Sequence, residues 1–453
     1  MLIPIIPVFG ISSLKATLVQ ANVTSFAMLP GSSADTGDSC DDIHHCRTFL
    51  QIFWSCISVL VACTWVSVHP NLPASNEGFW RILWRRISLM IVALIAPEML
   101  VLWAARQWYA ARKLTRRCKG WTETHAHFAL MGGFASFDGS EFNSILRYSG
   151  DPRPPDDSLE SYIDLISLFK AEEIQDRSHS DALAKFLAIG QTGWFVVQLV
   201  ARRVENLSIT VLEIMTVAFA AMNVMIYIFW WNKPQGVRYP IHIQNQNSNR
   251  NLDDVKTSPS PEPQPDTLEW LQNIITNDLI WFNVKFESAG MPLKIFLCVT
   301  FPAIKFFVIV INVVFDEDPE VDPLEKISSF ERVVKLEPSW HQDKVIAYSA
   351  AMIFGAIHCA AWAFKFPTQV EQTLWRIFSL IVTFVPLALI CTDLWKDKLD
   401  GHIENIVSII LCFVVFFYVL ARLGLIVQAF LALRSLPTNS FAIVEWVNFL
   451  PHI

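Results

Sequence analysis

The chain has 453 residues, of which 53% are hydrophobic, 13% aromatic and only 17% charged. Soluble domains contain about 25% charged and 45–50% apolar residues, so this composition excludes an ordinary soluble protein and indicates an integral membrane protein. The 35 basic and 42 acidic side chains give a net charge of −7, without the basic excess of a nucleic-acid-binding protein. Nine cysteines are too few for a disulfide scaffold.

The N-terminal segment, residues 1–47, is apolar at its start. Two prolines interrupt MLIPIIPVFGISSLKATLVQ, and no basic residue precedes the apolar run, so it is a poor signal peptide. Asn22 begins the glycosylation sequon Asn-Val-Thr, which would be lumenal if the segment were cleaved, and Asn206 begins a second one, Asn-Leu-Ser.

A short group of potential metal ligands follows at Cys40, His44, His45 and Cys46. Adjacent histidines have an awkward geometry for a tetrahedral metal, so a disulfide or a solvated turn is the better interpretation. The sequence predicts no metal site and no cofactor.

The rest of the chain contains eight apolar stretches close to the roughly 20 residues that a membrane-spanning helix needs. They predict an all-α polytopic helical bundle, with four spans in residues 48–231 and four in residues 293–453. The predicted spans are Thr48–Val68, Ile87–Trp108, Leu183–Val200, Ile209–Trp231, Leu293–Phe315, Val345–Phe366, Ile377–Leu394 and Ile403–Leu433.

Three polar segments separate these spans. The loop 112–182 opens with a run of basic residues, the segment 232–292 is rich in Asn and Pro and is predicted to be a disordered linker, and Asp316–Glu337 is acidic. Because positive charge favours the cytosolic side, the basic run and the linker are expected in the cytosol and the acidic loop in the lumen. Eight spans then place both termini in the cytosol.

Ionisable residues inside predicted spans are candidates for function, because a charge costs several kcal/mol in the bilayer. Glu98 lies in the middle of the second span, directly after Pro97, which is expected to kink the helix. Glu213, His358 and Asp393 interrupt later spans. The structural alternative is that each makes a polar contact between helices or reaches water at the interface.

A carboxyl group in an apolar pocket resists ionisation and can act as a general acid. Surrounding Trp and Phe rings would stabilise a cation formed by the transferred proton. This combination suits carbocation chemistry on a lipid-soluble substrate, although proton-coupled transporters also use buried carboxylates. The aspartate-containing stretch 156–160 resembles a diphosphate–metal box, but it lies in the polar loop and is interpreted as coincidence.

Several stretches resemble one large fungal family of polytopic membrane proteins. The similarity runs through CISVLVACTWVSVHPNLP, IAPEMLVLWAARQWYAARK, WTETHAHFALMGGF, EIQDRSHSDALAKFLAIGQTGWFVVQLVAR, LEIMTVAFAAMNVMIYIFWWNKP, HCAAWAFKFPTQVE and the closing EWVNFLPH. Some members of that family are membrane-bound terpene cyclases of meroterpenoid pathways, of the ascochlorin and macrophorin types.

The resemblance implies proton-initiated cyclisation of a prenylated aromatic compound or its epoxide, in the endoplasmic reticulum or another endomembrane. The expected partners are this hydrophobic small molecule and membrane lipid. A transporter or channel with the carboxylates as a proton relay is the alternative, and a membrane scaffold or sensor is a third. The candidate catalytic residues are Glu98, Glu213 and His125, and the candidate pocket residues are His358, Trp103, Trp194 and Asp393.

Overall fold

A computed structural model describes residues 46–445, apart from 245–325 and short gaps at 75–76, 140, 152–154, 156–157, 179–180, 332, 337–341 and 396–400. The predicted span Leu293–Phe315 and most of the predicted linker therefore lie outside the described residues. The described helices are α1 Phe49–Val61, α2 Phe79–Ile95, α3 Pro97–Arg117, α4 Glu123–Leu130, α5 Ile163–Ile166, α6 Ala171–Asp176, α7 Asp181–Val204, α8 Val211–Trp230, α9 Gln342–Cys359, α10 Gln369–Trp395 and α11 Gly401–Leu431.

The protein is mainly a helical bundle, as the sequence predicts. Four described helical segments are long and apolar enough to cross a membrane, or five if the bent pair α2–α3 counts as one span. The four segments are Phe49–Val66, Val211–Trp230, Gln369–Thr392 and Val414–Arg434.

The prediction of an all-α protein misses a small sheet in the polar part of the chain. Strands β1 (Phe134–Asp138) and β2 (Glu141–Ile145) are antiparallel, and β3 (Ile241–Gln244) pairs in parallel with β1. The order is β2-β1-β3. Strand β3 belongs to the predicted disordered linker, so residues 241–244 correct that prediction: alternate side chains of the strand are buried, and this burial holds it in place.

Two hydrophobic cores divide the molecule, and helix α3 passes through both. Its first half, with Leu100 and Trp103, packs in the core of the helical bundle. Its second half, with Ala111 and Leu114, packs in a separate core beneath the sheet. A single helix therefore fixes the position of the polar part relative to the bundle.

The bundle has two ends that are both rich in polar contacts. At the Cys46 end, Arg47 pairs with Glu213 at the start of α8. At the Lys233 end, Lys233 follows the last residue of α8 by three positions and bonds to Gln107 of α3. Since α8 rises about 1.5 Å per residue, roughly 25 Å separates these two sets of contacts.

The predicted span Ile87–Trp108 is not one helix. Helix α2 ends at Ile95, α3 begins at Pro97, and the two axes differ by 111°. The cause is local, because Pro97 has no backbone N–H and is suited only to the first turn of a new helix. Glu77, just before α2, bonds to Lys326, whose carbonyl accepts a hydrogen bond from Arg147 in the polar part. The pair α2–α3 therefore starts and finishes at the Lys233 end.

Candidate active site in the helical bundle

The break between α2 and α3 places Glu98 inside the bundle. Ala96 is the N-cap residue and its side chain makes no capping hydrogen bond. Glu98 follows in the first helical turn, where a negative charge interacts favourably with the helix dipole. The kink predicted from Pro97 is present, and it turns the Glu98 carboxylate towards α11.

Two residues of α11, one helical turn apart, bond to this carboxylate. The Tyr418 hydroxyl donates to Glu98 Oε1 over 2.8 Å, and Arg422 Nη2 donates to Glu98 Oε2. Arg422 also donates to the Tyr418 oxygen through Nε at 3.1 Å and Nη2 at 2.8 Å. The side chain of Arg422 is 2% exposed and that of Glu98 is 12% exposed. Each carboxylate oxygen of Glu98 therefore accepts a hydrogen bond from a side chain of α11.

An aromatic row continues from this triad of Glu98, Tyr418 and Arg422. The Arg422 guanidinium carbon lies 3.8 Å from the centre of the Phe354 ring. His358 follows, with its ring centre 4.6 Å from Phe354 and 5.6 Å from Trp375. Of this row, Phe354 presents its ring face to the buried guanidinium, a contact that stabilises a cation by about 0.5–2 kcal/mol.

His358, predicted as a pocket residue, lies one residue before the end of α9 and is buried. Its Nδ1 is 2.7 Å from the Phe354 carbonyl, and the Trp375 indole donates to the His358 carbonyl over 3.1 Å. Its Nε2 is buried without a hydrogen-bond partner. Close packing fixes this helix, since a Cβ at Gly355 would lie 2.6 Å from the backbone nitrogen of Thr383 on α10.

A second buried cation, Lys233, lies at the Lys233 end. Its Nζ donates to the His69 carbonyl at 2.5 Å, to Asn71 Oδ1 at 3.1 Å and to Gln107 Oε1 at 2.8 Å. Two indole rings complete its surroundings, with Nζ 4.7 Å from the centre of Trp103 and 4.5 Å from that of Trp230. Burial lowers the pKa of Lys233 well below 10.5.

Trp103, which the sequence predicts as a pocket residue, contacts this lysine. Its ring also lies 5.0 Å from Trp230 and 4.7 Å from Phe330. Its Nε1 is buried without a hydrogen-bond partner. The indole therefore contacts Lys233 through its ring face and not through its N–H group.

Glu213, a predicted acid, occupies a structural position at the start of α8. It is the third residue of a capping box in which its Oε2 accepts from Thr210 N at 2.7 Å and its own N–H donates to Thr210 Oγ1. Arg47 Nη1 donates to its Oε1 at 2.6 Å. The described contacts of this carboxylate are thus one helix-capping hydrogen bond and one ion pair, and the geometry gives it a capping role.

His125, the other predicted catalytic partner, occupies the same position in another helix. It is the third residue of α4, and its Nδ1 lies 2.8 Å from the hydroxyl of the N-cap residue Thr122. Its Nε2 lies 2.8 Å from the Phe169 carbonyl. His125 is buried in the core beneath the sheet, and the structure does not bring it together with Glu98 or Glu213.

The remaining predicted residues do not join the triad. Trp194 is 47% exposed on α7. Asp393 lies in α10, and its side chain is outside what the structure describes. Asn206 is exposed in a left-handed conformation, with φ of 58°, just after α7. Asn22 lies outside the described residues.

The N-terminal group of potential metal ligands is described only at Cys46, which is disulfide-bonded. This agrees with the disulfide interpretation of that group. Across the described ranges, no group of three or more His, Cys, Asp or Glu side chains has a geometry that could hold a metal ion.

Sequence reasoning missed Tyr418, Arg422 and Lys233. Arg422 could have been found, because it is an arginine inside the predicted span Ile403–Leu433 and intramembrane charges are functional candidates. Lys233 was less visible, because it follows the end of a predicted span, where cations commonly reach water. Tyr418 carries no signal of its own in the sequence.

Fold and site together define the class of this protein: a helical bundle with a buried Glu–Tyr–Arg triad. A family model described as a family of unknown function, DUF8562, matches residues 116–254 and 396–453. The matched residues include Lys233, Tyr418 and Arg422 and exclude Glu98. No curated protein and no solved structure matches the chain.

Proposed function

We propose that the chain is a multi-pass integral membrane protein of the endoplasmic reticulum or another endomembrane. The support is the distribution of apolar surface. Large apolar side chains on the outer faces of the bundle are exposed, among them Val200 of α7, Phe384 of α10 and Phe417 of α11, at 58%, 56% and 56%. Polar contacts concentrate at the two bundle ends, so a bilayer fits between them.

The two ends also support an orientation. The Cys46 disulfide favours an oxidising compartment, so the Cys46 end would face the lumen. The basic run that ends α3 extends from the opposite end, where positive charge favours the cytosol. The backbone of Cys46 forms an isolated β-bridge with that of Ala442, near the C-terminus. In this orientation the Cys46 and Ala442 segments are both lumenal, whereas the sequence predicts that both termini are cytosolic.

We propose that the protein is a membrane-bound cyclase acting on a prenylated aromatic compound or its epoxide. The observation that carries this proposal is the Glu98–Tyr418–Arg422 triad, which lies at a helix break beside an aromatic row. An apolar bundle gains little stability from a charged pair in its core, because desolvation offsets much of the Coulomb attraction. A chemical role explains why such a group is present.

The geometry changes the roles expected of these residues. Tyr418 is the proton donor in this proposal, because its O–H is the titratable proton nearest to Glu98, and Arg422 stabilises the resulting phenolate through Nε and Nη2. The donated proton goes to the epoxide oxygen as its C–O bond breaks, and the substrate π bonds then attack the released carbon centre and close the rings. Glu98 then takes the proton lost by the last carbocation and returns it to Tyr418 through their 2.8 Å hydrogen bond.

The test is product formation in a microbial host that is fed prenylated aromatic precursors and their epoxides. We expect Tyr418→Phe and Glu98→Gln to lower the yield by about 10²–10⁴-fold, the usual contribution of acid–base groups. Glu371→Gln is the matched control, because Glu371 also pairs with an arginine, Arg434, but at the surface. Full activity of Tyr418→Phe would remove the donor assignment, and no cyclised product from any precursor would remove the cyclase proposal.

Proton-coupled transport is the second candidate, and the 111° break at Ala96 favours it. Transporters often build their sites at discontinuous helices near the bilayer centre. Purified protein in liposomes with an imposed pH gradient separates the two functions. Solute flux that depends on the gradient and is lost in Glu98→Gln supports transport, whereas cyclised product without flux supports the enzyme.

A further inference from the structure

A cavity of about 270 Å³ lies at the Lys233 end, away from the triad. It is enclosed by α3, α4, the residues after β2 and the segment 326–336. Apolar side chains such as Ala110, Leu130 and Val333 form part of its wall. Its size is near the lower limit of small-molecule sites.

Three of the four charged side chains that line the cavity are cations, and each of the three is paired with a carboxylate. Arg106 pairs with Asp343, Arg147 with Glu331 and Lys335 with Asp151. An anion would therefore be bound here by the N–H donors that the ion pairs of Arg106 and Lys335 leave over, and not by a net positive charge.

Arg106 retains hydrogen-bond donors that its protein partner does not use. Its Nε donates to Asp343 Oδ2 over 2.7 Å, and this is the described hydrogen bond of its guanidinium. The two terminal nitrogens have no bond to any described residue. Lys335 pairs with Asp151 over 2.5 Å while about half exposed, so it has two further N–H donors. An oxyanion can therefore bind these two cations without breaking either ion pair.

We propose that this cavity binds a phosphate group, with the terminal nitrogens of Arg106 as a bidentate donor and Lys335 as a second cation. Arginine matches phosphate oxygens with paired N–H groups, and lysine adds a point charge. The phosphate belongs either to a lipid headgroup or to a soluble phosphate. The apolar part of the wall accommodates the carbon atoms attached to it. This site is independent of the proposed cyclase chemistry, because binding is measured without turnover.

The experiment has two arms, both on the full-length chain purified in detergent. In the first, inorganic phosphate is titrated calorimetrically. In the second, the delipidated protein is exposed to vesicles of phosphatidylcholine with 10% phosphatidic acid (a composition of about one anionic lipid in ten), and the retained lipid is identified by native mass spectrometry. Binding in the first arm alone identifies a soluble phosphate, and preferential retention of phosphatidic acid identifies a lipid. Binding in neither arm overturns the proposal.

The variants test the assigned residues. Arg106→Gln combined with Asp343→Asn removes the donor without leaving an unpaired carboxylate, and we expect affinity to fall about tenfold or more, the effect of losing a charge-assisted bond. Lys335→Gln changes a half-exposed side chain, so it keeps the test valid if the double variant does not fold. Arg112→Gln is the matched control, because this arginine forms an exposed pair with Glu123 outside the cavity. Wild-type binding by Lys335→Gln and by a folded double variant would overturn the assignment.

Discussion

Arg422 and Lys233 are both buried basic side chains, and their surroundings stabilise them in different ways. Arg422 lies in the core of the helical bundle and has a full opposite charge, Glu98, from another helix. Lys233 lies at the end of the bundle, and its described partners are three neutral oxygens and two indole rings. One site compensates charge with charge, and the other replaces water with dipoles and π faces.

The difference follows from what each position can offer. In the middle of α11 the backbone groups are already bonded within the helix, so a cation there depends on side chains from other helices. Beyond the end of α8, Lys233 lies against residues 68–72, which are not helical, so the His69 carbonyl is free of a helix and accepts from Lys233 Nζ. We therefore expect the Arg422 site to fail sharply when one partner is removed and the Lys233 site to fail gradually.

The largest expected effect is that of Glu98→Gln on stability. It leaves Arg422 buried without a carboxylate, and removal of one partner of a buried pair costs about 3–5 kcal/mol. Chemical unfolding in detergent measures it. The double variant Glu98→Leu with Arg422→Met should recover to within about 1–2 kcal/mol of the wild type, because an apolar pair avoids the desolvation penalty. A double variant as unstable as the single one would contradict the charge-compensation argument.

Lys233→Met should cost less, about 1–3 kcal/mol, the usual penalty for an unsatisfied buried polar group. Gln107 Oε1 still accepts from Trp230 Nε1, and Asn71 Oδ1 still accepts from Gln107 Nε2, so the substitution leaves only the His69 carbonyl without this donor. Lys335→Met, at a half-exposed lysine, is the control and should change stability by less than about 0.5 kcal/mol. A loss as large as that of Glu98→Gln would remove the contrast between the two sites.

The pH dependence sharpens the same contrast. Because burial lowers the pKa of Lys233 below that of the unfolded chain, the unfolded state binds more protons as pH falls from 10.5 towards the lowered pKa. Relative to Lys233→Met, the wild type should therefore gain stability as pH rises towards 10.5. Denaturation midpoints of both proteins at pH 7, 8.5 and 10 would measure this gain in stability. These pH values bracket the range about one to three units below an ordinary lysine pKa.

His127, a buried neighbour of Lys233, should give an effect that is confined to acid pH. Burial, together with the charges of Lys233 and Lys185, lowers its pKa from 6.5 to about 3. Neutral His127 is therefore fully compatible with folding above pH 6.5, and stability is lost as pH falls from 6.5 to about 3. His127→Leu should reduce the slope of stability against pH in this range by up to about 1.4 kcal/mol per pH unit. His242, exposed on β3, supplies the control variant His242→Gln, which should keep the wild-type slope.

The smallest effect is expected at the start of α8, where Glu213 belongs to a capping box. Thr210→Ala removes the N-cap hydroxyl and should cost about 1 kcal/mol. The Arg47–Glu213 pair remains, so the loss stays below that at either buried cation. In the feeding assay, Thr210→Ala should form product at the wild-type level once corrected for the amount of folded protein. A specific loss of product would return Glu213 to the catalytic candidates.

Much of the bundle was predictable, because apolar stretches of about 20 residues and a proline-directed break depend on local chemistry. The capping roles were also predictable in principle. Thr210-Val-Leu-Glu213 matches the capping-box pattern, and Thr122-Glu-Thr-His125 places a polar side chain at the same third helical position. An acidic residue within an apolar run fits a functional role as well as a capping role, so the pattern alone does not decide between them.

By itself, the sequence determined that the protein is mainly α-helical, where several of its apolar helices lie and that the chain is kinked at Pro97. It could not pair Glu98 with Arg422, 324 positions along the chain, because nothing local specifies which of several charged residues will meet. Nor did it predict that Lys233 is buried, because its burial depends on Asn71, Gln107 and two tryptophans, which converge from separate segments. The return of α2–α3 to its own end was decided in the same way, by long-range packing around the 111° break.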